Sequence, residues 1–221
     1  GVFWSLAVEE HFYFLYPFIF LKISFHSRNE PRKLAYFLLI SCLVVLLWRI
    51  VLVLYFHSNE NRTYYATDTR IDSIIYGCIL ALVKNPRGAT NFGSTLKLKD
   101  WSIILFSVLA LLASIFFRNA LFRETVRYSI QGAALAPLFY YSIAMYQNKV
   151  FRIFNWGAIK TIGKYSYSIY LVHYILIENM KLFSDFFIVN LLIVFASTFV
   201  YVMAIEVFVD RPIRQIRSRY K

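Results

Sequence analysis

Apolar runs broken by short polar stretches follow one another along the whole chain. A helix that crosses a bilayer needs about 20 mostly apolar residues. Seven stretches approach that length: roughly 3–21, 34–56, 70–83, 101–117, 128–146, 165–180 and 186–208. The pattern predicts an all-α, polytopic transmembrane helical bundle, with residues 1–221 forming a single membrane-embedded domain. The third stretch is short and carries Asp72, so a tilted, broken or partly re-entrant segment is expected there. No internal repeat, low-complexity tract or soluble domain is visible.

Composition agrees with this reading. Of the 221 residues, 59% are hydrophobic and only 16% charged, against about a quarter charged in soluble domains. The formal charge of +12 is distributed as a topology signal, since Lys and Arg concentrate in loops on the cytoplasmic side. One set of connections holds Lys22, Arg28, Arg32 and Lys33, then Lys84, Arg87, Lys97 and Lys99, then Lys149, Arg152, Lys160 and Lys164; the tail adds Arg211, Arg214, Arg217, Arg219 and Lys221. The opposite set holds only Arg62, Arg70, Arg118, Arg123, Arg127 and Lys181. The first set is assigned to the cytoplasm. This predicts a multi-pass plasma-membrane protein with a cytoplasmic C-terminus and no nucleic-acid partner. Both cysteines, Cys42 and Cys78, lie in apolar runs and suggest no disulfide framework. Gly1 stands directly at the head of a helix, which leads to the expectation of an N-terminally truncated chain.

Four polar knots interrupt the apolar pattern. The first is FWSLAVEEHFYFLYP, residues 3–17. A carboxylate at membrane depth costs a few kcal/mol by insertion scales, about 2.5 or more. At helical spacing Glu9, Phe12 and Tyr16 share a face, with Ser5 and Tyr13 near it, while Glu10 points elsewhere. That face should turn inward. Trp4 reads as an interfacial anchor, and Pro17 should kink the helix. The second knot is TDTRIDSIIYG, residues 67–77. Thr69 and Asp72 resemble a capping box, Arg70 could snorkel toward headgroups, and Gly77 would admit a close helix neighbour. The third, YSYSIYLVH at 165–173, places His173 near mid-membrane, either as a packed neutral imidazole or as a proton-handling group. The fourth, EVFVDRPIR at 206–214, sets Glu206 and Asp210 one turn apart, where arginine partners are expected. Arg49, inside the second span, needs a carboxylate, and Glu9 or Asp72 are the choices.

No HExxH, CxxC, Walker-type or GxGxxG pattern occurs, so no metal or tightly bound cofactor is expected. Asn61-Arg62-Thr63 is a short glycosylation sequon on the outer side.

Taken in this order, the four knots resemble acyltransferase family 3, integral-membrane enzymes that modify O-antigen, peptidoglycan and exopolysaccharide. Trp4-Ser5-Leu6, Glu9, Phe12-Tyr13 and Pro17 match its first signature; Thr69-Arg70, Asp72 and Gly77 its second; Gly163, Ser166-Tyr167, Tyr170-Leu171 and His173 its third. Arg211-Pro212 matches the last, with Asp210 where the family usually has Glu. Only the C-terminal part of a pattern of about ten spans is covered, and the family's histidine and arginine pair in its N-terminal part have no counterpart here. The resemblance implies an O-acyltransferase, most simply an O-acetyltransferase, moving an acyl group from cytoplasmic acyl-CoA to a hydroxyl of an extracytoplasmic glycan. It implies Glu9 and His173 as catalytic, Trp4, Ser5, Tyr13, Arg70 and Asp72 as substrate-binding, and Pro17, Gly77, Arg49, Glu206 and Asp210 as structural. The chain alone would be inactive. On physics alone a proton-coupled transporter or lipid-linked sugar flippase, with Glu9, Asp72 and His173 as a relay, fits the same intramembrane polar groups.

Overall fold

The computed structural model describes residues 3–24, 30–84, 96–179 and 186–218. Arg28, Arg87, Lys181, Arg219 and Lys221 of the charge pattern lie outside them. Among the described residues all regular structure is helical. The helices are α1 (Trp4–Ser24), α2 (Glu30–Leu54), α3 (Glu60–Tyr65), α4 (Thr67–Arg70), α5 (Asp72–Val83), α6 (Leu98–Phe116), α7 (Ala120–Glu124), α8 (Arg127–Ala144), α9 (Gly157–Glu178), α10 (Phe187–Ile205) and α11 (Arg211–Ser218). Each of the seven apolar stretches falls on a helix. Three helical stretches, Pro31–Leu54, Leu98–Phe116 and Phe187–Ser218, are long and apolar enough to cross a membrane. The remaining stretches fall short by length or polarity: α1 carries Glu9, Glu10 and Lys22, and α9 carries Lys160, Lys164 and His173. With 12 residues, α5 spans roughly 18 Å, well under a hydrocarbon core of about 30 Å.

The chain divides into two compact units, Gly1–Arg152 and Ile153–Lys221. In the first, α2 packs on α5, α5 on α8, and α8 on α6, while α1 lies against α2 and α4. The periodicity of α2 explains its place. Leu34, Leu38, Cys42, Arg49 and Leu52 recur at helical spacing and are buried, whereas Tyr36, Ile40, Leu43, Leu47 and Leu54 form an exposed apolar stripe. The inward face therefore carries an arginine between Cys42 and Leu52, and the outward face is what hydrocarbon would solvate. Phe12 of α1 and Ile75 of α5 complete the core around Leu34, Leu38 and Cys42. A second cluster gathers Tyr140, Tyr141, Ala144, Met145 and Phe151.

Gly77 does not mediate a close approach; a Cβ there would meet nothing within 4 Å. The contact falls on Gly132 of α8 instead, where a Cβ would overlap the ring of Tyr76 from α5. Pro17 lies inside an uninterrupted α1.

In the second unit α9 packs along α10. Rather than ending near residue 208, the last helix continues through a π-helical turn, Glu206–Asp210, into α11. The N–H of Arg211 donates to the carbonyl of Glu206, five residues back. A widened turn relieves the clash that Pro212 would otherwise make with the preceding carbonyls.

Candidate functional site

The most deeply buried polar groups of the first unit converge on one place. Arg49, Thr63, Thr69 and Asp72 have 0% exposure. The Arg49 guanidinium donates to both oxygens of Asp72, Nη1 to Oδ1 at 3.3 Å and Nη2 to Oδ2 at 2.7 Å. It also donates to the Thr69 carbonyl at 2.9 Å and to Ser129 Oγ at 2.5 Å, and Ser129 Oγ donates to Asp72 Oδ2 at 3.2 Å. A buried charge pair is costly without hydrogen-bond partners; α4, α5 and α8 supply them to the two terminal nitrogens of Arg49, while its Nε has none among the described residues. Of the two carboxylates open to Arg49, Asp72 takes it.

Asp72 is therefore no capping-box partner. The Thr69 hydroxyl donates to the carbonyls of Thr63 at 3.0 Å and Ala66 at 2.9 Å, fixing the turn between α3 and α4. Thr63 is in turn buried, its hydroxyl donating to Glu124 of α7. That removes the sequon: Asn61-Arg62-Thr63 sits in α3 with its threonine engaged. Outside the cluster, Arg62 holds Asp68 in a fork, at 2.8 and 2.6 Å. Trp48 Nε1 donates to the same carboxylate at 2.7 Å. These bonds, Arg62 foremost, hold the Asp68 carboxyl below its ordinary pKa.

Above the buried pair stands an arginine–aromatic assembly. The guanidinium carbon of Arg70 lies 3.9 Å from the Tyr128 ring centre, 5.4 Å from that of Trp4 and 5.6 Å from that of Tyr64. Trp4 packs on Tyr64 and Tyr65, with ring centres 4.9 and 5.7 Å away. Arg70 does not snorkel; it is stacked among rings, as a guanidinium can be and an ammonium less readily. The structure thus brings Trp4, Arg70 and Asp72 to one region. Ser5 is half-buried one residue beyond Trp4.

Glu9 lies at the edge of the buried face of α1, which is centred on Val8 and Phe12. It is half-buried and makes no ion pair among the described residues. The expected link from Glu9 to Arg49 is not made. Tyr13 is 63% exposed and stays apart from the arginine cluster. In the second unit, His173 Nδ1 lies 2.8 Å from the Ile169 carbonyl, and its ring is 5.8 Å from that of Tyr170. It faces a cleft of about 660 Å³ between α9 and α10, lined otherwise by residues such as Ile169, Val194 and Phe199. Glu206, buried, is held by Lys164 at 3.1 Å, by Arg214 and by Arg211 at 3.8 Å. Asp210 is half-buried and makes no ion pair among the described residues.

Sequence reasoning missed Ser129, Tyr128, Glu124 and His11, whose Nδ1 lies 2.8 Å from Thr67 Oγ1. Tyr128, Ser129, Gln131 and Gly132 form a polar and small patch in an apolar stretch, the signal that could have marked α8 as the third wall.

An acyltransferase-domain family model matches residues 1–210. The O-acetyltransferase OatA of Staphylococcus aureus (strain NCTC 8325) is 31% identical over 98% of this chain and 34% of its own length. The peptidoglycan O-acetyltransferase OatA of Listeria monocytogenes is 26% identical over 96% of this chain and 35% of its own. The chain spans about a third of the length of these relatives. No solved structure matches it. With Trp4, Arg70 and Asp72 of its first two knots brought to one region, and the family match running through both compact units, the chain belongs to acyltransferase family 3.

Proposed function

We propose that the chain is part of a multi-pass membrane O-acetyltransferase that moves an acetyl group from cytoplasmic acetyl-CoA to a hydroxyl of an extracytoplasmic glycan, peptidoglycan being the acceptor named for its relatives. In this reading the seven apolar helical stretches lie in a bacterial inner membrane, the basic tail faces the cytoplasm, and further spans precede the chain. The observation that carries the reading is the Arg49–Asp72–Ser129 junction, which ties the signature residue Asp72 to α2 and α8 close to the signature residues Trp4 and Arg70.

Ester formation needs a base for the sugar hydroxyl, positive or hydrogen-bonding groups where the tetrahedral oxyanion develops, and exclusion of water. The thiolate of CoA then leaves and takes up a proton. Asp72 and Arg49 fix the three helices, so they position and do not react. Arg70 and Trp4 line the outer mouth. Glu9, lacking a partner within the described residues, is assigned to orient or charge-balance the histidine that the family carries upstream. His173 is assigned separately, as the imidazole of a mostly apolar cleft. Basic groups of the inner loops hold the anionic donor. No resident cofactor is required.

The transporter reading lacks support of this kind. A relay needs Asp72 to exchange protons with water, and Asp72 is fully buried in a bidentate pair. In the full-length protein, Glu9→Gln is expected to lower acetyl transfer about 100-fold or more, as loss of an acid–base partner does, with little change in melting temperature. Undiminished transfer would remove Glu9 from the site.

A further inference from the structure

One end of the second unit carries surplus positive charge beside an uncovered apolar face. Lys160 and Lys164 lie near the start of α9, and Arg211, Arg214 and Arg217 lie in α11. Two carboxylates answer these cations. Glu206 gathers Lys164, Arg211 and Arg214 around its Oε1, and Asp210 pairs with none of them among the described residues. Arg217 makes no ion pair there either. The sequence after Asp210 adds Arg219 and Lys221 and no acid. Exposed cations like these would ask nothing of water; what sets them apart is the surface next to them.

α11 sorts its residues by chemistry. At helical spacing Pro212, Ile213 and Ile216 share one side, Arg211, Arg214, Gln215 and Ser218 the opposite side, and Arg217 stands between them. Ile213 and Ile216 are 56% and 58% exposed, so their side of the helix is uncovered. Trp156, at the head of α9, is exposed as well. A basic amphipathic helix beside an exposed tryptophan has the make-up of a membrane-interface segment. Its depth agrees. Phe187–Ser218 is one helical stretch of 32 residues, about 48 Å long, whereas the hydrocarbon core takes up about 30 Å. A helix that crosses from its Phe187 end leaves α11 at the level of the headgroups. There the two isoleucines reach the outer part of the acyl chains and the guanidiniums reach phosphate.

We propose that α11 is a docking surface for an anionic phospholipid of the cytoplasmic leaflet, with Arg214 and Arg217 at the phosphate and Ile213 and Ile216 against the acyl chains. The surface rests on the membrane orientation proposed above and not on acyl transfer. Full-length protein is placed in phosphatidylcholine nanodiscs with a trace of spin-labelled phosphatidylglycerol or spin-labelled phosphatidylcholine. Electron spin resonance then separates lipid held by the protein from free lipid. Phosphatidylglycerol is expected to be held at least about fivefold more strongly, the factor that one basic residue contributes at an anionic surface. Arg217→Gln should remove most of this preference, and Ile213→Asn/Ile216→Asn should weaken it at unchanged charge. Lys97→Gln/Lys99→Gln, which takes two cations from the first unit, should leave it intact. Equal retention of the two lipids by the unmodified protein overturns the surface. So does a preference that survives whole in Arg217→Gln protein melting like the parent, or one that falls as far in the Lys97/Lys99 control. Displacement of the labelled lipid by free coenzyme A identifies the phosphates of the donor as the anion and overturns it too. Acetyl transfer is scored separately on the same discs: an inactive protein that still prefers phosphatidylglycerol supports the surface and counts only against the activity.

Discussion

Asp72 and Arg49 each occupy a position where the helical periodicity of the neighbouring sequence calls for an apolar side chain. Removing one partner leaves a buried charge unpaired, at a cost of about 3–5 kcal/mol, whereas replacing both by apolar groups of similar size is often neutral. Asp72→Leu alone should therefore strip the full-length protein of most of its folded yield and lower its melting temperature in detergent. The double variant Arg49→Met/Asp72→Leu should recover much of both. Equal melting of single variant and parent would show that the pair does not hold α2, α5 and α8 together. The need of Arg49 for a carboxylate was legible in the sequence, because an arginine inside an apolar run must find one. Which carboxylate it takes was not: Glu9 and Asp72 lie at similar depth by residue counting, and only the packing of α5 on α2 decides between them. The same limit hid Ser129, a hydroxyl whose importance comes wholly from its neighbours.

At the scale of elements, helix existence was readable and helix contact was not. Long apolar runs declare themselves, yet the short α3, α4 and α7 escaped notice because they are held by side-chain bonds, such as Thr69 to Thr63 and Thr63 to Glu124, and not by periodicity. The glycine comparison makes the contact problem concrete. Gly77 sits in the family signature but is exposed with open space around it, while Gly132 admits the Tyr76 ring. Gly132→Ala should destabilise by about 1–3 kcal/mol through overpacking. Gly77→Ala should be neutral or stabilising by up to about 1 kcal/mol, since alanine is the better helix former. Thermal unfolding of the two variants side by side checks both. The turn joining α2 to α4 offers a pH test. The Asp68 carboxyl is depressed by Arg62 first and Trp48 next, so its stabilisation is present above the ordinary carboxylate range near pH 4 and is lost as pH falls through the lower, folded value. With both partners about half exposed, the effect stays under about 1 kcal/mol. Trp48 fluorescence should report a transition below pH 4 that Asp68→Asn removes.

For the whole molecule, the inverted distribution of polarity is the governing fact. Arginine, aspartate and threonine fill the most buried positions, while phenylalanine, leucine and isoleucine cover much of the surface, the arrangement expected when hydrocarbon is the solvent. Composition and periodicity made that legible at once. How far the site extends was less so: the chain covers a third of its relatives, and the pairing of Glu9 is not met within the described residues. The central claim is that an acetyl group crosses to a glycan on the far side, and it is tested by enclosing labelled acetyl-CoA in proteoliposomes of the full-length protein with soluble peptidoglycan fragments outside. The account predicts alkali-labile acetyl label on the external glycan. Label that stays inside, or glycan that enters the vesicles unmodified, would contradict it.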